Sequence, residues 1–344
     1  MALLSRRFYS STFKTVRPPI FFKLNQINKT KEKEKIFVKT KLVKERPLND
    51  EIQKIEENQV NEDFISSDLL TDCNIKKPKS SFNIDNKKKE LLYGIHPVLL
   101  ALKSNRRSFY NAYLKESSLK NNIKLQEINE LCKEQLIPTN YVDEKRFKHL
   151  LGPEKLHQGI CMEASKLTFS IHENYSEEKS SLFKDCSHKC QLWLYLDQIN
   201  DPMNFGAILR TAYYFGADKV LTSATDSCPI TSVVSKASSG IAEILPIHQI
   251  LNIEEFLQNI RNHGFQIVSS LAHSNEALPL QKFKRAEKML LIFGNEGRGI
   301  SPVVERHSDV AITIPPASNC IEDTHSLNVS VATSVILHFL SIRQ

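Results

Sequence analysis

The chain of 344 residues is long enough for about two domains with additional tails. Its 41% hydrophobic and 25% charged residues are typical of a globular chain, and no apolar run approaches the roughly 20 residues that a membrane-spanning helix needs. The formal net charge of +7 suggests a nucleic-acid partner. However, residues 1–31, which contain no Asp or Glu, account for the whole of this positive charge. The remainder is neutral in sum, so RNA binding by the folded part would require a local basic patch.

The first 90 residues divide into two segments of different composition. Residues 1–31 mix Leu and Phe with Arg and Ser and lack Asp and Glu, which is typical of a mitochondrial transit peptide. A disordered basic arm that contacts RNA is the alternative interpretation. Residues 32–90 carry dense, mixed charge without a sustained helical or strand period, so they are predicted to be a disordered charged linker.

Strands and helices alternate between residues 91 and 166, which predicts a small α/β domain. A turn at Gly94 precedes a helix with Pro97 in its first turn, where a missing N–H is tolerated. The later elements are predicted as a strand over 108–114, a helix over 122–135, a strand over 137–142, a helix over 143–151 and a strand over 157–165.

Residues 167–189 are polar and patternless, which predicts a linker between two domains. Cys186, His188 and Cys190 form the one cluster of possible metal ligands in the sequence. No second half-site accompanies them, so we predict a solvated segment and no metal site.

Residues 190–344 are predicted to form a second, doubly wound α/β domain. The segment 191–196, QLWLYL, is a nearly continuous apolar run, as expected of a strand that is buried on both faces of a parallel sheet. About six such strands alternate with helices toward the C-terminus, and this alternation favours crossover connections and a parallel sheet.

Three polar segments of the second domain follow predicted strands, namely 197–210, 294–301 and 315–328. Ligands of open α/β sheets collect at the carboxyl ends of strands, so these segments predict a binding site. The glycine spacing of the second segment, G-x-x-G-x-G, differs from the dinucleotide fingerprint, which argues against a nicotinamide enzyme.

Each polar segment also has a plainer interpretation. Asn204 could cap a helix, and Arg210 could be an exposed helix residue. Glu296 could be a solvated acid in a turn, and Ser326 could cap the last helix. No single segment decides between these interpretations and a functional site.

Together the three segments are far more specific. N-x-G-x-x-x-R from Asn204 to Arg210, then F-G-N-E-G-x-G around Glu296, then I-P followed by S-L-N-V-S-V-A from Ser326 resemble the three motifs of the SpoU/TrmH family of SPOUT RNA methyltransferases. The segments YGIHPV and HQGI of the first domain are similar to that family's L30e-like RNA-binding domain. The resemblance therefore covers about residues 91–344.

The resemblance implies a fold, a cofactor and an assembly. The fold is a C-terminal α/β knot, the trefoil-knotted SPOUT domain, preceded by a small L30e-like α/β RNA-binding domain; the third segment and the last helix thread the knot. S-adenosyl-L-methionine would bind against the knotted loops, and the enzyme would be a homodimer whose active site draws on both subunits. The cofactor-binding residues implied are Gly294, Ile314 and Leu327, with Ser270 and Leu271 lining the same pocket.

The resemblance also implies catalytic roles. A guanidinium stays protonated in proteins, with a pKa above about 12. We therefore interpret Arg210 as a phosphate ligand that stabilises the developing alkoxide and not as the base. Asn204 and Asn328 would position the hydroxyl and the loops, Glu296 would fix its loop or Arg210, and Ser326 would hydrogen-bond nearby.

The expected function is S-adenosylmethionine-dependent 2′-O-methylation of a guanosine ribose in mitochondrial large-subunit rRNA, in the matrix and without a membrane partner. A tRNA ribose methyltransferase of the same family and a non-catalytic, RNA-binding ribosome-assembly factor are the alternatives. Pro316 replaces the Met that relatives commonly have, and the loop 316–325 is longer than theirs. Candidate phosphate contacts in the first domain are Arg106, Arg107, Lys145 and Arg146.

Overall fold

The computed structural model describes residues 89–172, 182–183, 190–272, 276–317 and 326–342. The predicted transit peptide 1–31, nearly all of the predicted linker 32–90 and the Cys186–His188 part of the cysteine cluster lie outside these residues. No helix in the described ranges is long and apolar enough to cross a membrane.

The N-terminal domain is a four-stranded sheet of order β1-β4-β2-β3 with helices between its strands. Its strands are β1 (Lys89–Tyr93), β2 (Phe109–Leu114), β3 (Thr139–Tyr141) and β4 (Ile160–Ser165). Its helices are α1 (Ile95–Ser104), α2 (Glu116–Leu119), α3 (Ile123–Glu134) and α4 (Glu144–Leu151). Asn122 and Asp143 cap α3 and α4 through their side-chain oxygens, which explains where these helices begin.

The second domain is built on an eight-stranded sheet of order β10-β12-β9-β11-β6-β7-β8-β5, and every pairing in it is parallel. The strands are β5 (Ser170–His172), β6 (Gln191–Leu196), β7 (Lys219–Ser223), β8 (Ile247–Ile250), β9 (Gln266–Leu271), β10 (Leu278–Pro279), β11 (Lys288–Phe293) and β12 (Val310–Thr313). The helices are α5 (Pro202–Tyr214), α6 (Ser232–Ala237), α7 (Ile241–Ile244), α8 (Ile253–Asn262), α9 (Pro302–His307) and α10 (Val329–Ser341).

Strand β6 lies in the middle of this sheet and is buried along its whole length, as its apolar sequence predicts. Its side chains alternate between the two layers of the core. Leu194 belongs to the cluster beneath α5 and α10, whereas Trp193 and Tyr195 belong to the cluster beneath α8. The sheet is therefore covered on both faces, which is the arrangement that parallel sheets require.

Two strands of the second domain differ from the prediction. Strand β5 falls inside the segment 167–189 that was predicted to be a linker, and it pairs with β8 at one edge of the sheet. Strand β10 forms the opposite edge. Strands of three and two residues are too short to show a period, which is why the sequence predicts about six strands and the structure has eight.

The two domains are joined by a buried charge network that contradicts part of the prediction. Arg107 was a candidate phosphate contact, but it is only 4% exposed, and its guanidinium donates to Glu243 of α7, to Glu90 of β1 and to the carbonyl of Ser165. Arg106 donates to three backbone carbonyls of the α7 region. Both arginines therefore hold α7 against the small domain.

Candidate functional site

The described parts of the three polar segments lie at the carboxyl end of the strands of the large sheet. They follow β6, β11 and β12, and β9 lies between β11 and β12. Because all these strands are parallel, their carboxyl ends face the same way, and Phe293 at the end of β11 lies opposite Ser270 of β9. The strands that precede the three segments therefore end at the same end of the sheet.

Three side chains, one from each segment, form a continuous hydrogen-bonded chain. The amide nitrogen of Asn328 donates to Oδ1 of Asn204 at 3.0 Å. The amide nitrogen of Asn204 donates in turn to Oε1 of Glu296 at 2.7 Å. These residues are far apart in sequence, so the chain of hydrogen bonds fixes the relative positions of the three segments.

The way in which the two helices are capped leaves the amide nitrogens of Asn204 and Asn328 available for these hydrogen bonds. Asp201, not Asn204, caps α5: its Oδ1 accepts the backbone N–H of Asn204 at 2.7 Å. Asn328, not Ser326, caps α10, since its Oδ1 accepts the backbone N–H of Ser330 at 2.9 Å. The amide oxygen of Asn328 thus caps the helix while its amide nitrogen reaches Asn204.

Two residues that sequence reasoning missed support the loop that carries Glu296. Oδ1 of Asn295 accepts the backbone N–H groups of Gly297 and Arg298 at 2.9 and 3.0 Å. Asp197, at the end of β6, is buried and accepts the backbone N–H of Ser301 at 2.7 Å. An Asn two residues before a Gly is a turn signal, and that signal could have identified Asn295.

Arg210 lies apart from this hydrogen-bonded chain. It is exposed on α5, and its Nη1 donates to Oγ of Ser239 at 2.9 Å. Arg210 and Asn204 are six positions apart, so their side chains point about 120° apart around the helix. Glu296 was predicted to fix its loop or Arg210; its carboxylate accepts a hydrogen bond from Asn204, and Arg210 bonds Ser239 instead.

Gly206 has a packing role in this structure. A Cβ atom at this position would lie 2.5 Å from Cβ of Ala237 and 2.8 Å from the carbonyl oxygen of Val234. The close backbone approach that glycine permits here is therefore the approach of α6 to α5. Gly294 is equally tight, because its Cβ would come within 2.5 Å of the Gly299 backbone.

The residues predicted to hold the cofactor are distributed along the same edge. Ser270 and Leu271 end β9 and pair with Ile312 and Thr313 of β12. Gly294 directly follows β11, and Ile314, which packs against the core, directly follows β12. Each of these positions therefore lies at or just beyond the carboxyl end of one of three adjacent strands.

Leu327 and Ser326 are brought to the same region by the helix cap. Leu327 is 50% exposed and immediately precedes Asn328, which binds Asn204. Ser326 is exposed, and no hydrogen bond joins its side chain to another residue in the described ranges. The segment 318–325 between β12 and these residues, which includes most of the unusually long loop and the predicted passage through the knot, is not among the described residues.

The chemistry of these positions suits an adenosyl group. Apolar side chains such as Leu271, Ile314 and Leu327 can contact the faces of a ring, and backbone groups at strand ends can bind its edges. The acid of the site, Glu296, is engaged by Asn204. No group of three or more His, Cys, Asp or Glu side chains in the described part of the chain could hold a metal ion.

Comparison with known proteins accounts for both domains. Residues 191–338 match the SpoU rRNA methylase family, and residues 91–170 match the domain described as RNA 2′-O ribose methyltransferase substrate binding. The chain is 33% identical over 258 residues to rRNA methyltransferase 1, mitochondrial, of Homo sapiens, which covers 72% of this chain and 71% of that protein. The chain belongs to the SpoU rRNA methylase family. It is an RNA methyltransferase.

A second relative and a solved structure extend the comparison. The protein of the same name from Dictyostelium discoideum is 32% identical over 257 residues, and the chain spans 47% of its length. The AdoMet-bound rRNA methyltransferase from Sinorhizobium meliloti superposes with a TM-score of 0.57 at 20% identity, over 74% of this chain and 88% of that one. This similarity confirms the predicted SPOUT fold, and S-adenosylmethionine is the methyl donor of the family, as predicted.

Proposed function

We propose that this methyltransferase transfers the methyl group of S-adenosylmethionine to the ribose 2′-hydroxyl of a guanosine in mitochondrial large-subunit rRNA. The observation that carries the proposal is the hydrogen-bonded chain Asn328–Asn204–Glu296, which unites the three motifs beside the strand ends. Relatives named for mitochondrial rRNA support the substrate and the compartment. Bacterial relatives named as 23S rRNA guanosine 2′-O-methyltransferases support the nucleoside and the acceptor atom.

Each group of site residues has a separate part in methyl transfer. When bound, S-adenosylmethionine supplies an electrophilic methyl group on a sulfonium sulfur. Asn204 and Asn328 orient the 2′-hydroxyl and the loops, while Glu296 holds Asn204 in place. Gly294, Ile314 and Leu327, with Ser270 and Leu271, would hold the donor next to the acceptor hydroxyl.

Arg210 stabilises negative charge during the reaction. Its guanidinium binds the phosphate beside the target ribose and lowers the cost of the developing alkoxide. The proton of the 2′-hydroxyl passes to solvent or to that phosphate, because a guanidinium cannot accept it. Ser326 provides an additional hydrogen bond near the acceptor.

The orientation of Arg210 supports a site that is completed by a second copy of the chain. Within one chain Arg210 bonds Ser239 and points away from Asn204. Helices α5 and α10 pack together, and Thr211 and Ser334 lie in hydrogen-bond contact between them. Both helices expose large apolar side chains, among them Tyr214 at 80% and Val331 at 47%, as a dimer face would.

Mixing two inactive variants tests the shared site. Arg210→Lys and Asn328→Ala chains are purified separately, unfolded and refolded together. If one site takes Arg210 from one chain and Asn328 from the other, mixed dimers contain one intact site and activity returns. No recovery, with mixed dimers demonstrated by differently sized tags, would show that each chain forms its own site.

The substrate is tested directly with the full chain and tritium-labelled methyl donor. Transcripts of mitochondrial large-subunit rRNA and a pool of mitochondrial tRNAs are offered in parallel. We expect label in the rRNA alone, recovered as 2′-O-methylguanosine after nuclease digestion. Label in tRNA, on a base, or on another nucleoside would refute the specific assignment while leaving the family intact.

The predicted domain limits remain part of this proposal. Residues 1–31 act as a transit peptide, the part of 32–90 that precedes β1 as a linker, 91–166 as the core of the RNA-binding domain and 190–344 as the methyltransferase domain. Fusion of residues 1–31 to a fluorescent protein tests the first of these limits. Import into the matrix is expected, whereas a cytosolic signal would favour the basic RNA-binding arm.

A further inference from the structure

The small domain contains an open cleft of about 610 Å³, and its lining residue Gln158 contacts Lys236 of α6. This volume lies within the range of about 300–1,000 Å³ that is usual for small-ligand sites. The cleft combines apolar surface with hydrogen-bonding side chains. Its lining includes Leu125, Leu156, Ser117, Asn121, Asn122 and Gln158.

The hydrogen bonds within the cleft wall leave several side-chain amide nitrogens available to donate to a ligand. Oδ1 of Asn122 accepts the backbone N–H groups of Lys124 and Leu125, so its amide nitrogen remains available. Oε1 of Gln158 accepts the backbone N–H of Ile95 at 3.2 Å and Nζ of Lys236 at 2.9 Å. The amide nitrogen of Gln158 is therefore also left to donate, and Asn121 makes no side-chain hydrogen bond to any described residue.

Gln158 adopts this position at a cost in backbone energy. Its φ of 58° lies in the left-handed region, which a residue with a side chain seldom adopts. Such strained positions are concentrated at binding sites. The preceding residue, His157, also lines the cleft and is held in place because it stacks on Phe147 with ring centroids 4.1 Å apart and contacts Glu144 at 3.0 Å.

Basic side chains lead from the cleft to the methyl-transfer site. Nζ of Lys124 lies 2.7 Å from Nε2 of His96, and Lys236 bonds Gln158 in the cleft wall. Partial burial, with the nearby positive charges of Lys124, Lys236 and Arg210, lowers the pKa of His96. None of these four residues forms an ion pair with a carboxylate in the described ranges. These residues form a local basic patch. RNA binding requires such a patch because the folded part is neutral in sum.

We propose that the cleft binds one unstacked base of the substrate RNA, and that Lys124, His96 and Lys236 bind the phosphates between that nucleotide and Arg210. The inference rests on the proposed RNA substrate. Single-stranded RNA is recognised by this combination, with hydrogen bonds and apolar contact to a splayed base and cations on its backbone. The cleft thus sets which nucleotide near the target is read, while Arg210 acts at the methylated ribose.

Two variants separate the two kinds of contact. Lys124→Ala removes a phosphate contact, so the slope of log Kd for RNA against log salt concentration should fall by about 0.7–1. Asn121→Ala removes a base contact, so Kd and KM for RNA should rise about three- to ten-fold with an unchanged salt slope. Lys133→Ala is the matched control, because Lys133 lies on the same helix α3 but is paired with Glu130.

Photocrosslinking of full-length protein to rRNA transcript carrying photoreactive nucleosides gives a readout that does not depend on activity or on the folding of a variant. We expect crosslinked peptides that contain residues 115–125 or 156–159. The inference is overturned if both variants match Lys133→Ala and the crosslinks lie elsewhere, while the wild-type chain methylates rRNA. Absence of methylation by the wild-type chain would instead refute the proposed function itself.

Discussion

The guanidinium of Arg107 donates to both carboxylate oxygens of Glu243, at 2.6 and 2.9 Å, across the boundary between the two domains. Both side chains are fully buried. Ser235 donates to the same carboxylate, and Glu90 accepts from the same guanidinium. A buried pair with its remaining hydrogen bonds satisfied fixes geometry well, but either partner left alone is a buried, unpaired charge.

Removal of one partner should therefore strongly destabilise the protein. We expect Arg107→Met or Glu243→Leu to lower the free energy of unfolding by about 3–5 kcal/mol, measured by urea denaturation. The double variant should be less destabilised than the sum of the two. Lys103→Ala serves as control, because its pair with Glu127 is exposed and contributes about 0–1 kcal/mol. Equal effects of Arg107→Met and Lys103→Ala would contradict the account.

The contact between Asn204 and Glu296 should require a hydrogen-bond donor at position 204, and a side chain of the same size without that donor should not replace it. Asn204→Asp replaces the amide nitrogen, 2.7 Å from Glu296, with a second carboxylate oxygen. Loss of the hydrogen bond and repulsion between like charges should reduce kcat/KM about ten-fold or more. Glu296→Gln retains an oxygen that can accept from Asn204, so its activity should stay within a few-fold of wild type. A fully active Asn204→Asp enzyme would show that the contact has no part in methyl transfer.

Arg210 should require its guanidinium geometry. Arg210→Lys keeps the positive charge but loses the fork that binds a phosphate through two N–H groups. We expect kcat/KM to fall by about 100-fold, of the order found for removal of a transition-state donor, while binding of the methyl donor measured by calorimetry is retained. Arg306→Lys, on the exposed surface of α9, is the control. Near-normal methylation by Arg210→Lys would exclude bidentate phosphate binding as its role.

His248 on β8, next to the edge strand β5, should make stability sensitive to acid. Burial, with smaller effects of Lys219, His172 and Arg106, lowers the pKa of His248 to about 3 from its usual 6.5. The unfolded chain therefore binds a proton at His248 in the window between these values, and the folded chain does not. The free energy of unfolding should fall as the pH is lowered from 6.5 toward 3.

Denaturation series at several pH values check this expectation. His248→Gln should reduce the dependence of unfolding free energy on pH below 6.5, whatever its effect at neutral pH. His149→Gln, at an exposed position, serves as the control substitution. An identical pH dependence in His248→Gln and wild type would show that His248 is protonated in the folded protein.

The sequence predicts the features that depend on local pattern. The apolar run of β6 indicates a central strand, and the polar segments after three parallel strands indicate where a site forms. It could not predict which side chains in those segments touch, because Asn204, Glu296 and Asn328 are brought together only by strand order. It also left the helix caps undecided, since Asp201 and Asn204, or Ser326 and Asn328, are equally good capping residues in isolation.

Charged residues were the least predictable part. In the sequence Arg106 and Arg107 resemble exposed basic residues. Only the docking of α7 reveals that Arg107 is buried and that Arg106 bonds the backbone of α7. The basic patch at His96, Lys124 and Lys236 is assembled from three separate elements and has no sequence signature. Patterns in sequence report on neighbours along the chain, whereas both charge clusters are made by contacts between domains.

The most direct test of the central claim is to map 2′-O-methylated nucleotides in mitochondrial RNA from cells with and without this protein. Alkaline cleavage followed by sequencing detects such positions, because a 2′-O-methyl group blocks cleavage at the following phosphate. We expect one guanosine of the large-subunit rRNA to lose protection in the absence of the protein and to regain it with wild type but not with Arg210→Lys. Loss of a tRNA mark with every rRNA mark retained would contradict the account.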